Sequence, residues 1–290
     1  MIGLVLAAGT GRRLRPYTDT LPKALVPLPA HGDGEPLTPL DVILANFAAS
    51  GVTDVAVVVG YAADAVRSRR RRLERRHGVT LDLIPNDRAL TWNNCYSLWC
   101  ARDHLYREDV LLANGDTVHP VSVERLLLGD DPPVLADDSP TLEHTPGRSS
   151  PLLLAVDTVK SLGAEEMKLA WTEDEGVTRI SKSLDPEKAY GEYIGVALVP
   201  ASVGPALVEA LEVTWRRDPH LYYEDAFQEL IDREAAWIDV RPIGDVPWIE
   251  IDDHADLARA AEVMAALIGH RASVRAGIAS RASEEPGCRS

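Results

Sequence analysis

Apolar positions in this chain fall into short runs separated by longer stretches of helical period. Ile2 to Leu6, Asp54 to Val59, Thr80 to Ile84 and Asp109 to Ala113 are brief and branched, which predicts strands buried on both faces. Thr38 to Ser50 carries Leu40, Ile43, Leu44 and Phe47 at helical spacing and stops at Gly51. Ala62 to His77 reads as a second helix closed by Gly78, and Tyr96, Leu98, Trp99 and Leu105 mark a third behind Asn93-Asn94. Strands alternating with helices imply right-handed crossovers and a mainly parallel sheet.

The second half continues with strands at Leu152 to Val156, Met167 to Trp171, Val177 to Ser181 and Tyr190 to Val199. Glu175-Gly176 reads as a hairpin turn. Helices are expected at Ala206 to Arg216, from Leu221 to Arg233 and from His254 to His270. The last strands are expected at Trp237 to Pro242 and Val246 to Ile251. Residues 129–151, rich in proline, serine and acid, predict a mobile surface loop, and 269–290 a disordered tail. The expected domain is therefore 1–268, with 1–128 mainly for one ligand and 152–268 mainly for another.

Charge and cysteine usage narrow the class. A formal net charge of −15 argues against nonspecific nucleic-acid binding, which draws on a basic surface. The run Arg67 to Arg76 is the exception; without interleaved aromatics, between two strands, it reads as the solvated face of a crossover helix. No run approaches the roughly 18 apolar residues of a membrane span. Cys95, Cys100 and Cys288 have no metal spacing, and the chain opens directly on a strand rather than a signal peptide. The expectation is a cytoplasmic protein with no membrane partner.

The candidate chemistry begins where the first strand ends. Leu6 is followed by Ala7, Ala8, Gly9, Thr10 and Gly11, whose small side chains let backbone N–H groups approach phosphate oxygens. Arg12, Arg13, Arg15 and Lys23 add positive charge. A Walker A loop is absent, and Gly9 and Gly11 are followed by Leu14 rather than the third glycine of a dinucleotide fingerprint. Asp116, after Asn114-Gly115 at a strand end, is well placed for a metal, the alternative being an Asx turn. Asn93 or Asn94 either caps a helix or meets a ligand. Leu221-Tyr-Tyr-Glu-Asp225 either caps a helix or, with Trp92, forms a cage for a cationic amine from Tyr223, Glu224 and Asp225. Asp253 reads as a helix cap, and Lys168 as a lesser ligand candidate.

Two motifs carry a family resemblance. Leu-Ala-Ala-Gly-x-Gly-x-Arg-Leu-x-Pro followed by Pro22-Lys-Ala-Leu25 resembles the signature of the sugar-1-phosphate nucleotidylyltransferase superfamily. Asn86-Asp-x5-Asn93-Asn-x-Tyr-Ser-Leu98 resembles its CTP-using subgroup, which acts on phosphocholine, inositol-1-phosphate and aminoethylphosphonate-type acceptors. The resemblance runs over residues 1–268. It implies an α/β, Rossmann-like nucleotidyltransferase (GT-A type) fold with helices on both faces of a mainly parallel central sheet. It further implies that Leu6 to Gly11 wrap the nucleotide, that Arg13 and Lys23 hold the phosphates, and that Asn86, Asn93 and Ser97 surround the base. Asp116 and Asp252 correspond to Mg²⁺-binding aspartates, Lys182 to a lysine gripping the acceptor's phosphate, and Glu192 and Tyr193 to the acceptor floor. The implied partners are CTP and a small phosphate or phosphonate acceptor, in a monomer or homodimer. A UTP- or dTTP-dependent sugar-1-phosphate enzyme is the alternative, and a non-catalytic regulatory homologue a lesser one.

Overall fold

In a computed structural model of the chain, residues 1–29, 36–129 and 150–266 are described. Only the ends of the expected 129–151 loop fall within them, and the tail at 269–290 lies outside. Strands β1 (Ile2–Ala7), β2 (Asp54–Val59) and β3 (Thr80–Pro85) alternate with helices α1 (Pro39–Ala49) and α2 (Ala63–His77). Then follow α3 (Asn94–Cys100), α4 (Arg102–Leu105), β4 (Val110–Asn114), the short β5 (Thr117–Val118) and α5 (Ser122–Leu128). The second half runs through β6 (Leu152–Asp157), β7 (Lys168–Thr172), β8 (Gly176–Ser181), β9 (Gly191–Val199), α6 (Gly204–Arg217), α7 (Tyr223–Asp232), β10 (Ile238–Pro242) and β11 (Ile249–Glu250). A last helix, α8, covers 254–266.

The main sheet has the order β10-β6-β9-β4-β1-β2-β3, with the β7–β8 hairpin attached to β9. The half β4-β1-β2-β3 is parallel, while β9 runs antiparallel to both β4 and β6. This is the expected mixed α/β architecture with helices on both faces. Along β1 the side chains alternate: Ile2 and Leu4 pack with α3, α6 and α7, and Val5 and Ala7 with α1, α2 and α5. Thr38 caps α1 reciprocally with Asp41, which fixes where that helix starts.

A third, smaller core positions the site. Leu14, Val26 and Leu28 from the N-terminal loop pack against Val118, Ile249, Ile251, Leu257 and Met264. The two-stranded ribbon of β5 and β11 runs through it. Sequence pattern predicts one strand over 246–251; the structure confines it to Ile249–Glu250, because the chain leaves the main sheet to pair with β5. The single helix expected across 94–105 is likewise two, broken at Ala101.

The turn after β4 is tight. A Cβ on Gly115 would stand 2.6 Å from the Leu6 carbonyl oxygen, a backbone atom that cannot swing away. Gly115→Ala should therefore cost about 1–3 kcal/mol of stability as overpacking and shift Asp116. Urea unfolding would show the loss, and a variant as stable as the parent would refute the constraint.

Candidate active site

The first-strand loop becomes a cradle because Gly11 adopts φ +57, beyond which a single turn (Arg12–Leu14) reverses the chain. The Thr18 hydroxyl donates to the Gly11 carbonyl at 2.8 Å, and Lys23 N–H reaches the Gly9 carbonyl at 3.4 Å. The loop 9–11 is thereby tied to the turn that carries Lys23. Leu6, Ala8 to Arg13 and Lys23 line one wall of a cleft of about 670 Å³ at the carboxyl edge of β1 and β4. Ligands of open α/β sheets bind at such edges. Ala7 faces away, buried in the core.

At the centre of the cleft floor, the Lys23 ammonium lies 2.6 Å from Asp116 Oδ2 and 2.5 Å from Asp252 Oδ1. Arg13 Nη2 meets Asp252 Oδ2 at 2.8 Å. Asp116, Glu250 and Asp252 each place a carboxylate oxygen within 4.8 Å of the others. Burial opposes the Lys23 charge, but Asp116, Glu250 and Asp252 outweigh it and raise its pKa, so it stays an ammonium. Burial likewise works against Asp252, and Lys23 and Arg13 overcome it, holding that carboxylate below its ordinary range. Glu250 keeps an edge open to the cleft; desolvation by the surrounding atoms, then Asp116, pushes it up to about 8. Sequence pattern misses Glu250; the signal was the two-residue spacing Glu250-Ile-Asp252, which sends both carboxylates to one side of an extended segment. Asp253 caps the following helix, accepting from the Ala255 and Asp256 N–H groups.

The opposite wall is the loop 89–94 with Ser97, His220 and Tyr222. Here the expected base contacts divide. Ser97 lines the cleft, but Asn86 is buried beneath it, donating from Nδ2 to Ser97 Oγ at 2.9 Å and accepting from Arg88 N–H. Asn93 lines the cleft while capping α3 and donating to the His220 carbonyl. Both amides brace the loop. Trp92 does the same by stacking on Trp215, ring centroids 5.5 Å apart, with Tyr96 edge-on at 4.8 Å.

The amine cage expected of Trp92, Tyr223, Glu224 and Asp225 is not assembled. Tyr223 is the first residue of α7 and is fully buried, its hydroxyl donating to Asn114 Oδ1. Glu224 is buried too, and Asp225 accepts from the Tyr222 N–H at 2.7 Å as a helix cap. Trp92 does line the cleft, and so does Tyr222 rather than Tyr223, with the Lys182 ammonium 5.0 Å from the Tyr222 ring centre.

Lys182 and Glu250 also border a second lobe of about 510 Å³. Glu192 lies there, nearly buried, 2.6 Å from Lys160 Nζ, which itself sits 5.0 Å over the Trp248 ring. Trp248 Nε1 donates to Asp157 Oδ2 at 2.7 Å. Tyr193 points the other way, into the core. Lys168 is fully buried, donating to the Gly163, Ala164 and Glu166 carbonyls, a structural clamp rather than a ligand. Lys160 and Trp248 carry no pattern of their own in the sequence.

A strand-edge cleft in which a small-residue loop faces clustered carboxylates is the class of site that α/β domains use for phosphorylated ligands. Residues 3–187 match the MobA-like NTP transferase domain, and the chain belongs to that family. It is 32% identical over 115 residues, 40% of this chain and 45% of the relative, to the choline-phosphate cytidylyltransferase of Streptococcus pneumoniae. It is 30% identical over 260 residues (89% of this chain, 38% of the relative) to the CMP-5'-(3-aminopropyl)phosphonate synthase of Streptomyces rubellomurinus. To the glucose-1-phosphate thymidylyltransferase of Streptomyces griseus it is 30% identical over 233 residues, 80% of this chain and 58% of the relative. These alignments thus take in 38 to 58% of the relatives' own lengths. The fold is also that of the inositol-1-phosphate CTP transferase from T. maritima: TM-score 0.69, 21% identity, 91% of this chain and 95% of that one. No described helix is long and apolar enough to cross a membrane.

Glu224 supplies a test of the buried wall. Burial pushes its carboxyl up to about 7 from an ordinary 4.5. The folded state therefore holds the proton more tightly than the unfolded one, and the parent loses stability as pH rises from about 4.5 to about 7. Glu224→Gln cannot titrate. Its stability relative to the parent should rise through that window by up to about 3 kcal/mol and stay level above it, as denaturant midpoints at stepped pH would show. A gap independent of pH would refute the assignment.

Proposed function

We propose that the protein is a Mg²⁺-dependent cytidylyltransferase. It transfers CMP from CTP to a phosphate or phosphonate oxygen of a small acceptor of the phosphocholine, aminoethyl- or hydroxyethylphosphonate or inositol-1-phosphate type, releasing pyrophosphate. The observation that carries this reading is Lys23: one ammonium that faces the phosphate loop and stands between Asp116 and Asp252. The names of the choline-phosphate and aminopropylphosphonate relatives favour CTP. A second reading, a thymidylyl- or uridylyltransferase acting on a sugar-1-phosphate, is favoured by the glucose-1-phosphate thymidylyltransferase, which aligns over 80% of this chain.

The carboxylate set fits a magnesium ion. Three hard oxygen donors converge; desolvation, then the neighbouring Asp116 carboxylate, pushes Glu250 up, a cost that a divalent cation offsets. Asp116, Glu250 and Asp252 would hold the ion, which when bound neutralises phosphate charge. The remaining chemistry belongs to the chain. Backbone N–H groups of the 9–11 loop and the Arg13 guanidinium bind the triphosphate; Lys23 meets the phosphate at which substitution occurs. Lys182, at the junction of the two lobes, holds the acceptor's anionic oxygens. That acceptor needs no general base, because a phosphomonoester is largely dianionic at neutral pH, with a second pKa of about 6. Its oxygen bonds to the α-phosphorus as the bond to pyrophosphate breaks. The site's task is to hold two anions in line and stabilise the charge between them.

Pyrophosphate release should be measured with each nucleoside triphosphate against phosphocholine, aminoethylphosphonate, hydroxyethylphosphonate, inositol-1-phosphate and glucose-1-phosphate. Turnover is expected with CTP, to vanish with EDTA and to return with excess Mg²⁺. dTTP or UTP with glucose-1-phosphate as the best pair would establish the second reading instead. Lys23→Ala should lower kcat by about 10²–10³, the cost of removing one preorganised charge-stabilising group. A smaller loss would take Lys23 out of the reaction.

A further inference from the structure

Asn114 ends β4 two residues before Asp116 and lines the cleft beside Leu6, with which it pairs across β1 and β4. Its Oδ1 accepts from the Tyr223 hydroxyl at 3.1 Å, and that hydroxyl lies 3.1 Å from the Tyr193 hydroxyl. Both phenols are buried, and burial, then the nearby Glu224 carboxylate, push each well above its ordinary value, so both keep their protons. Among the described residues the Tyr193 hydroxyl has only the Tyr223 oxygen as a hydrogen-bond partner. The Tyr223 hydroxyl is the donor of this group: it donates to Asn114 Oδ1 and has the Tyr193 oxygen as a second acceptor within reach.

Donation from Tyr223 turns the Asn114 carbonyl inward and leaves its NH₂ group as the free end. Gly195, at φ +80, makes room for it: a Cβ there would stand 2.5 Å from Asn114 Nδ2. Nδ2 has no hydrogen-bond partner among the described residues. An amide so held can donate to a ligand and cannot accept from it.

We propose that Asn114 is a substrate-binding donor, held by the Tyr223 hydroxyl so that its Nδ2 meets one hydrogen-bond-accepting oxygen of the bound substrates. Either the nucleotide's ribose or the second substrate's phosphate or phosphonate group offers such an oxygen. The inference rests on the nucleotidyl-transfer reading. Tyr223 acts through Asn114 and is a positioning residue.

The test compares Asn114→Ala, Asn114→Asp and Tyr223→Phe with the parent. Its readouts are pyrophosphate release, calorimetric binding of CTP, 2′-deoxy-CTP, 3′-deoxy-CTP and phosphocholine, and thermal melting. Asn114→Ala should lose roughly tenfold or more in kcat/KM, the scale of one hydrogen bond to a charged or polar partner. Asn114→Asp should be worse, since it offers an acceptor where a donor is needed. Tyr223→Phe, which frees the amide to flip, should lose less than Asn114→Ala. A ribose contact appears as weaker CTP binding and a lost preference for CTP over one deoxynucleotide. A phosphoryl contact appears as weaker phosphocholine binding or a raised acceptor KM, with CTP binding intact. Asn114→Asp matching the parent would mean that an oxygen faces the substrate, as it does if Glu224 takes the Tyr223 proton, and overturns the proposal. So do losses that merely follow a lower melting temperature. A parent that binds CTP but transfers to nothing would instead sink the transfer reading, leaving the ribose contact decided by binding. A parent that binds no nucleotide removes both.

Discussion

The site depends on one ammonium held among carboxylates that the chain brings together from afar. Lys23 and Asp252 are separated by 229 positions, and Asp116 comes from the middle of the chain. Two unit charges 4.8 Å apart repel by about 3 kcal/mol at an effective dielectric constant near 20. Three carboxyl groups at such spacing do not all ionise together, and Glu250, pushed up to about 8, keeps its proton at neutral pH. Two things offset the repulsion: the Lys23 charge between them, and the small apolar core of Leu14, Val26, Leu28, Val118, Ile249 and Ile251 beneath. That core binds the N-terminal loop to the β5–β11 ribbon, so the geometry of the charges follows from apolar packing next to them. Arg13, more exposed, completes the neutralisation from the solvent side.

Much of this was legible in the sequence because it is local. The strand, the glycine turn, Arg13 and Lys23 lie within one stretch, and the loop's own geometry brings them into one cleft. Asp116 is announced by the glycine before it and the apolar strand before that. The sheet's parallel half follows from strand–helix alternation. The antiparallel insertion of β9 between β4 and β6 does not, since nothing in the run Gly191 to Val199 states which neighbours it will have. Glu250 was hidden because the strand expected over 246–251 is one that both faces of a sheet would cover. Only its departure to pair with β5 turns Glu250 toward Asp116.

The tyrosine pair at 222–223 shows where pattern reading runs out. Adjacent residues at a helix start point in different directions, so a shift of one position decides which ring meets solvent. Tyr222 precedes α7 in extended backbone and reaches the cleft; Tyr223 begins the helix and enters the core. Composition favours neither. The same ambiguity governs the polar residues of the 86–94 loop. Amides suited to a base are equally suited to a loop's own backbone, and Asn86 and Asn93 satisfy the protein first.

That use of amides has a consequence for specificity. A loop braced by Asn86, Asn93 and the Trp92–Trp215 stack has little conformational entropy left to lose to a ligand, so contacts made there convert into discrimination rather than ordering. The second lobe, which takes the acceptor on the proposed reading, is built differently. Its ions, Lys160 and Glu192 beside Trp248, come from a loop, a strand start and an irregular segment rather than from one row of strand ends. A lobe assembled from such pieces changes its shape and charge with few substitutions while the braced wall of the first cleft stays fixed. The relatives' names, spanning choline-phosphate, aminopropylphosphonate and glucose-1-phosphate chemistry, are what such a division of labour would produce.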